Sequence, residues 1–396
     1  MIHDKTKPCA MRRMLDTAAR ECRRMRANTI YLLCMVVFPL GVTLLFTSLM
    51  GEGQPQNMPV GVCDLDNTAT TRHITRLLDS FQSTKVIARY ESVDEARHAM
   101  QRGEIYGFVY FPQNTTSQLL ASRQPKVSFY YSYTSLTAGS LVYKDMKTAM
   151  TLASAGAGRQ VLAAKGMDDS HIMAFLQPVT LDTHPIGNPW LNYNIYLSTM
   201  LVPACLMLFI FLTTSYSLGQ ELKMSTGREL LSTAWGNIWV ALAGKLLPQT
   251  LIFMGVMAAY MYYVFGILGF PHPGGVLPTA LLGLLGVLSA QGLGVLVFTI
   301  IPSLRMSMSI CSLWGVLGFS LVGTAFPVMS MDKPLQVLAN LFPIHHFFEI
   351  YSTCVFGGFP LSYANLHLAA LVTFSLLPVV CAPLIRRSLC TYIYMP

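Results

Sequence analysis

Two long stretches without a charged side chain set the limits on this fold. No Asp, Glu, Lys or Arg occurs between Asp182 and Glu221, and none between Lys245 and Arg305. A charge in hydrocarbon costs roughly 2.5–3.5 kcal/mol even on lenient insertion scales. Such runs therefore read as membrane spans. The segment wedged between them, Ser217 to Trp235 (SLGQELKMSTGRELLSTAW), carries Glu221, Lys223, Arg228 and Glu229. It must lie at a membrane face, as a helix on which a soluble partner can push.

Composition agrees with a multi-span membrane protein that has one sizeable polar portion. Hydrophobic residues make up 53% of the 396 and charged residues 12%, where a soluble chain carries about twice that charge. Nine cysteines are scattered mainly through apolar segments, with no C-x-x-C spacing, which excludes a disulfide framework and a paired zinc motif. The net charge of +8 is not a nucleic-acid signal once it is located. Residues 1–29 hold eight basic side chains against Asp4, Asp16 and Glu21, and residues 50–194 are balanced. The excess sits at the ends of apolar runs, where it sets topology. Nucleic acid is not an expected partner.

Residues 1–28 contain an amphipathic helix over 10–28. Met11, Met14, Leu15, Ala18, Cys22 and Met25 form one stripe, and Arg12, Arg13, Arg20, Arg23, Arg24 and Arg26 cover the rest. That pattern suits a cytoplasmic helix lying in the anionic headgroup layer of membrane lipid, with a solvated basic tail as the plainer alternative. Residues 29–50 form the first span, about the 20 residues a bilayer needs. The apolar core is too long for a cleaved signal peptide, and no A-x-A-like site follows. Residues 51–194 read as an extracytoplasmic α/β domain. PVGVCDL, TKVIARY, YGFVYF and KVSFYYSY are β-rich, with helical spacing near 69–82, 92–102 and 113–122. A long helix follows over 135–167, with Gly156 and Gly158 as its weak point.

Residues 195–396 hold five further spans, at 195–217, 238–265, 277–301, 307–328 and 366–385. A coupling helix over 218–236 and an external helical hairpin over 329–365 complete the region. Counting the basic tail, fourteen Lys and Arg then lie inside, against Lys333 in the short outside loops. This count orients the chain with both termini cytoplasmic and six spans. The fold class expected is a membrane α-helical bundle with an inserted extracytoplasmic α/β domain. In the hairpin, helical patterns over 335–341 and 344–356 are broken at Phe342-Pro343 and closed by Gly357-Gly358. Broken backbone at membrane depth is tolerated where protein buries it or where it lines a cavity.

The chemistry is sparse. No G-x-x-x-x-G-K-[ST] occurs, so ATP work belongs to another polypeptide. His345 and Glu349 share a helical face with His346 beside them, but HHFFE lacks the second histidine of H-E-x-x-H. No metal and no catalytic residue is expected. Pro343, His345, His346 and Glu349 are candidates for an external gate, since an ionisable residue at membrane depth is a functional candidate by default. Lys245, near a span end, is expected to snorkel to the interface. Gly286, Ala290 and Gly294 make a small-xxx-small ladder for helix packing, within the chain or at a dimer seam.

These segments, taken in order, resemble the permease subunit of an ABC-2 type exporter, over nearly the whole chain. The basic amphipathic helix resembles the family's connecting helix. MPVGVCDLDNT and ESVDEARHAMQRGEIYGFVYFPQN are similar to the external domain of the subgroup with a large insertion after span one. NPWLNYNIYLSTMLVPACL resembles the approach to span two, and LANLFPIHHFFEIYSTCVFGG the hairpin before the last span. QELKMSTGRELLSTAW is similar to the coupling helix, with Glu221, Glu229, Leu230 and Leu231 matching. Gln220 stands where the family carries Arg, and Thr226-Gly227 is reversed. The resemblance implies two permease halves, identical copies or paralogues, with two ABC-type ATPase subunits that hold ATP and Mg. This chain would itself carry no cofactor. Coupling residues implied are Glu221, Arg228, Glu229, Leu230 and Leu231. A periplasmic adaptor and an outer-membrane channel stay open as further partners, and an amphipathic drug or lipid as cargo leaving across the inner membrane.

The rival from another class is a membrane-anchored sensor or envelope-assembly protein whose outer domain binds a partner. It would need one or two spans and a cytoplasmic signalling module. Here five spans crowd the last half, and no inside segment exceeds about 30 residues.

Overall fold

A computed structural model describes residues 9–121, 123–179, 182, 184, 188, 191–324 and 326–391. They fall into two compact units, Glu52–Leu191 and the remainder. In chain order the helices and strands are α1 (Ala10–Ala27), α2 (Thr29–Leu49), β1 (Met58–Asp64), α3 (Ala69–Asp79), β2 (Thr84–Tyr90), α4 (Val93–Gln101), β3 (Gly107–Phe111), α5 (Thr115–Leu120), β4 (Ser128–Tyr131), α6 (Leu136–Ala164) and α7 (Asp169–Leu176). The chain continues with α8 (Tyr193–Lys223), α9 (Gly227–Thr233), α10 (Ile238–Ile267), α11 (Val276–Ile300), α12 (Leu304–Ser320), α13 (Lys333–Ala339), α14 (Pro343–Ile350) and α15 (Leu361–Thr391).

The α/β unit is a four-stranded sheet in the order β2-β1-β3-β4. Strand β1 pairs parallel with β2 and β3, and β4 closes the β3 edge antiparallel. Alternate apolar residues put Val60, Val62, Val109 and Phe111 into a core completed by Ile74 and Leu78 of α3 and by Val142 and Met146 of α6. Each of α3, α4 and α6 begins with a hydroxyl cap, from Thr68, Ser92 and Ser135 respectively, accepting a backbone N–H at the third helical position. Helix α6 runs unbroken through Gly156 and Gly158. The expected weak point fails because Gly158 receives a neighbour: a Cβ there would stand 2.7 Å from a methyl of Leu176 on α7.

Five helices of the second unit, α2, α8, α10, α11 and α15, are long and apolar enough to cross a membrane. The run expected as a further span at 307–328 forms α12, which has 17 residues and ends at Ser320. At 1.5 Å per residue it is about 26 Å long, short of the ~30 Å hydrocarbon thickness. Helix α2 contains a π-helical turn over Leu33–Val37 just before Pro39, where the proline removes a donor and the ladder widens.

Packing within this unit uses small residues at the crossings. Gly292 faces the Phe374 carbonyl of α15, Gly294 the Phe211 carbonyl and Thr214 of α8, and Gly286 the ring of Phe347. Gly286, Ala290 and Gly294 are thus all occupied within the chain, with Ala290 buried. Gly244 of α10 faces the Met14 carbonyl and Thr17, which lets α1 lie directly on α10.

The 329–365 segment contains α13 and α14, separated by the extended Phe342 that precedes Pro343, since proline disfavours a helical residue before it. A π-helical turn over Tyr351–Phe356 leads to Gly358, at positive φ. The turn at 270–275 tucks beneath it: Gly274 donates to the Val355 carbonyl at 3.1 Å, and a Cβ at Gly274 would meet the Cys354 carbonyl. Phe342 is buried and stacks on Trp314 of α12.

Candidate functional site

The segment expected as one coupling helix over 218–236 is two helical pieces, each followed by a turn. Helix α8 continues to Lys223, a turn follows with Ser225 at φ +54°, and α9 occupies Gly227–Thr233. A second turn places Trp235 at φ +56° and Gly236 at +77°. Left-handed backbone is unfavourable for a residue with a side chain. Both turns are held by tertiary packing and by end-of-helix hydrogen bonds, Thr226 N–H to the Glu221 carbonyl at 3.0 Å and Gly236 N–H to the Leu231 carbonyl at 2.8 Å.

Glu221 stands at the centre of the site and is fully buried. Its Oε1 accepts from Arg20 Nη1 and from Lys245 Nζ, each at 2.9 Å, and from Arg24 Nη1. Its Oε2 accepts from Arg20 Nη2 at 3.2 Å and from Thr226 Oγ1 at 2.5 Å. Lys245 Nζ also donates to Glu21 Oε2 at 2.7 Å, and Ser217 Oγ donates to Glu21 Oε1 at 2.8 Å. Arg20 Nε reaches outward to Glu229 Oε1 at 2.9 Å. Three cations and three carboxylates from α1, α8, α9 and α10 form one balanced network. Burying such charges is tolerable only because each is paired and hydrogen-bonded. Burial alone would lower the Arg20 guanidinium; its hydrogen bonds to Glu221 and Glu229 outweigh that and raise it, and they hold the Glu229 carboxyl below the usual range.

Lys245 does not snorkel: it is 1% exposed, because two carboxylates receive its ammonium in place of interfacial water. The basic helix does not turn all its arginines outward either. Arg12, Arg23 and Arg26 are exposed, but Arg20 is buried and Arg24 is directed at Glu221, while Met11, Leu15 and Cys22 of the apolar stripe are exposed. Arg13 is half-buried. The polar face of α1 meets the protein because Glu221 and Lys245 wait there.

Beneath the ion network lies an apolar layer. Leu230 and Leu231 of α9 pack with Leu218, Leu222, Ala234, Ile238, Phe298 and Leu389. Gly227 abuts Leu389 of α15. The segment is therefore locked to α8, α10, α11 and α15 as well as to α1. Its outer surface is Lys223, Met224, Ser225, Arg228, Glu229, Ser232 and Trp235, all exposed. Of the residues expected to act in coupling, Arg228 and Glu229 are on that surface, whereas Glu221, Leu230 and Leu231 point inward. Met224 and Trp235 went unselected by sequence, since an exposed apolar side chain has no local signature until the buried face is known.

The family described as ABC-2 family transporter protein matches residues 29–382. The chain belongs to the ABC-2 transporter family. ABC-2 permeases are membrane transport components that are not themselves ATPases and typically work with an ATPase partner. No curated protein sequence matches the chain.

Elsewhere in this ABC-2 protein, the residues around the 329–365 hairpin form a second polar cluster. His345 and His346 of α14 are buried, and His367 of α15 joins them, so that one ring nitrogen from each lies within 4.8 Å of the others. His345 Nδ1 is 3.1 Å from the Val322 carbonyl, His346 Nε2 is 2.9 Å from the Asn340 carbonyl, and the Nδ1 atoms of His346 and His367 are 2.9 Å apart. Burial pushes the His346 imidazole down to about 4, so it is neutral at pH 7. Glu349, paired by sequence with His345, is half-buried on the side of Gly323 and is not in that cluster. His367 lies 21 residues beyond His346, outside any spacing that marks a local motif. The expected approach to span two at Asn188–Trp190 falls on Pro189 and Trp190, which lie outside the described residues.

Proposed function

We propose that this chain is the permease half of an ATP-driven exporter in a cytoplasmic membrane, driven by a separate ABC-type ATPase that docks on residues 223–235. The single observation that carries this reading is the buried ion network beneath an exposed α9. A push on α9 cannot be absorbed locally, because Glu221 and Glu229 tie it through Arg20, Arg24 and Lys245 to α1, α8 and α10. It has to move several helices as a body, which is what converts nucleotide-driven closure into a change between two membrane states. Arg228, Glu229 and Met224 make the docking contact in this reading. Glu221 and Lys245 are positioning residues, and Leu230 and Leu231 transmit load into the apolar layer. The second half is another permease copy or paralogue; α12, though shorter than the other five, is the sixth crossing; the α/β unit 52–191 lies outside the cell; and the cargo is amphipathic.

The test is to purify the chain with whatever ATPase accompanies it and to measure nucleotide hydrolysis in lipid. Arg228→Glu should weaken association and leave hydrolysis uncoupled from the permease, with the melting temperature unchanged. A cysteine at Ser225 should react with an impermeant thiol reagent only from the cytosolic side. Labelling at position 225 from outside, or an Arg228→Glu protein indistinguishable from the parent in association and turnover, would overturn the assignment.

A further inference from the structure

We propose that His345, His346 and His367 bind a borderline divalent transition ion of the Zn2+ class, which clamps α14 to α15. The geometry carries the idea in three steps. The first is tautomer. Backbone carbonyls only accept, so the proton facing Val322 sits on His345 Nδ1 and the proton facing Asn340 sits on His346 Nε2. The remaining nitrogens, His345 Nε2 and His346 Nδ1, then carry no proton, and His346 Nδ1 accepts from His367 Nδ1–H at 2.9 Å. This is the arrangement in which a carbonyl behind each imidazole fixes the tautomer and orients the ring toward a metal.

The second step is convergence. Tetrahedral Zn–N bonds of about 2.0–2.1 Å place ligand nitrogens about 3.3 Å apart. One ring nitrogen from each histidine lies within 4.8 Å of the other two, and the His346–His367 Nδ1 pair is 2.9 Å apart, so the longest separation has to close by at most about 1.5 Å to reach the tetrahedral spacing. His367 offers its Nδ1 lone pair once its proton sits on Nε2 instead. The third step is access and ligand class. His345 and His346 are buried, whereas His367 is only half-buried and leaves a way in. Three imidazoles and no thiolate suit Zn2+, Cu2+ or Ni2+ rather than Mg2+ or Ca2+, and three protein ligands leave a fourth position open. The site joins a broken hairpin to the last long helix, so its occupancy would set how tightly that end of the bundle is held. None of this rests on the transport reading.

The experiment uses the full chain in detergent or lipid, with Zn2+ and Cu2+ themselves as probes. Metal-stripped protein should take up about one Zn2+ per chain, measured by elemental analysis after gel filtration. His346→Ala and His367→Ala should each lower the affinity by at least the roughly 10–100-fold that loss of an outer-shell partner costs, while His272→Ala, a histidine on the 270–275 turn, changes nothing. If either alanine variant fails to assemble, pulsed electron paramagnetic resonance on the Cu2+-loaded parent protein answers without it, by reporting coordinated imidazoles. Absence of uptake by the parent protein would overturn the proposal and leave a proton-sharing histidine cluster. So would uptake that survives loss of both His346 and His367, or a Cu2+ spectrum free of imidazole nitrogen.

Discussion

Replacing Lys245 by methionine keeps most of the side chain's length and removes its charge. The structure makes the consequence calculable. Lys245 is 1% exposed and its ammonium bridges Glu21 at 2.7 Å and Glu221 at 2.9 Å. Two carboxylate oxygens gripping one ammonium lie about 5 Å apart, and like charges at that separation repel by ~3 kcal/mol at an effective dielectric constant of about 20. Glu221 keeps Arg20 and Arg24, but Glu21 is left with the hydroxyl of Ser217. Leaving a buried charge uncompensated costs about 3–5 kcal/mol, so Lys245→Met should destabilise the helical unit by that amount. The double variant Lys245→Met with Glu21→Gln restores the balance of charges and should recover most of the loss. Thermal unfolding in detergent of parent, both single variants and the double variant gives a complete cycle. A Lys245→Met protein within 1 kcal/mol of the parent, or a double variant no better than the single, would refute the claim that pairing is what keeps Lys245 inside.

Three further outcomes follow from the packing. Leu230→Ala removes a fully buried side chain from the layer under α9 and should cost about 2–5 kcal/mol, whereas Arg228→Ala, on the exposed face, should change the melting free energy by less than about 0.5 kcal/mol. Gly292→Ala places a methyl group 1.8 Å from the Phe374 carbonyl and should force α11 and α15 apart, seen as loss of monodisperse protein on gel filtration; Gly255→Ala, with open space at its Cβ, should be neutral or slightly stabilising. Asp66 of the α/β unit accepts from Thr116 N–H at 3.0 Å, Thr116 Oγ1 at 2.6 Å and Thr68 Oγ1 at 3.1 Å. Burial would raise its carboxyl, but those bonds outweigh it and hold it below the ordinary range. The unfolded chain therefore binds the proton first as pH falls, and the stabilisation is present above pH ~4 and lost below it. Hydrogen exchange of the full chain should show amides 114–118 losing protection on acidification through that window, with Asp66→Asn abolishing the pH dependence.

The features legible without coordinates are those set by local patterning. An apolar run of some 20 residues is a property of consecutive side chains, and the runs at 29–50, 195–217, 238–265, 277–301 and 366–385 lie, to within a residue at their ends, in helices long and apolar enough to span a membrane. Alternation with period two is equally local, and strands form at the β-rich runs around residues 60, 86, 109 and 129. The break at Phe342-Pro343 follows from the stereochemistry of proline and is present. Arg20, Glu221 and Lys245 were another matter. Their charges were visible, but Arg20 and Glu221 are 201 residues apart and Glu21 and Lys245 are 224 apart, and a charge in a sequence does not announce its partner. Read alone, Arg20 belongs with the headgroups and Lys245 at the interface; read against each other across the fold, both belong inside. The same holds for His367, whose neighbours come from α14, and for Gly158, whose apparent weakness is filled by Leu176.

Hydropathy thus marked five of the six expected spans as helices apolar and long enough to leave water, because the free energy of transfer is close to a sum over neighbouring residues. It could not tell which way α1 turns its arginines or which face of α9 stays exposed. Those depend on pairwise electrostatics and close packing between segments far apart in the chain, and they exist only once α1, α8, α9 and α10 have come together around Glu221.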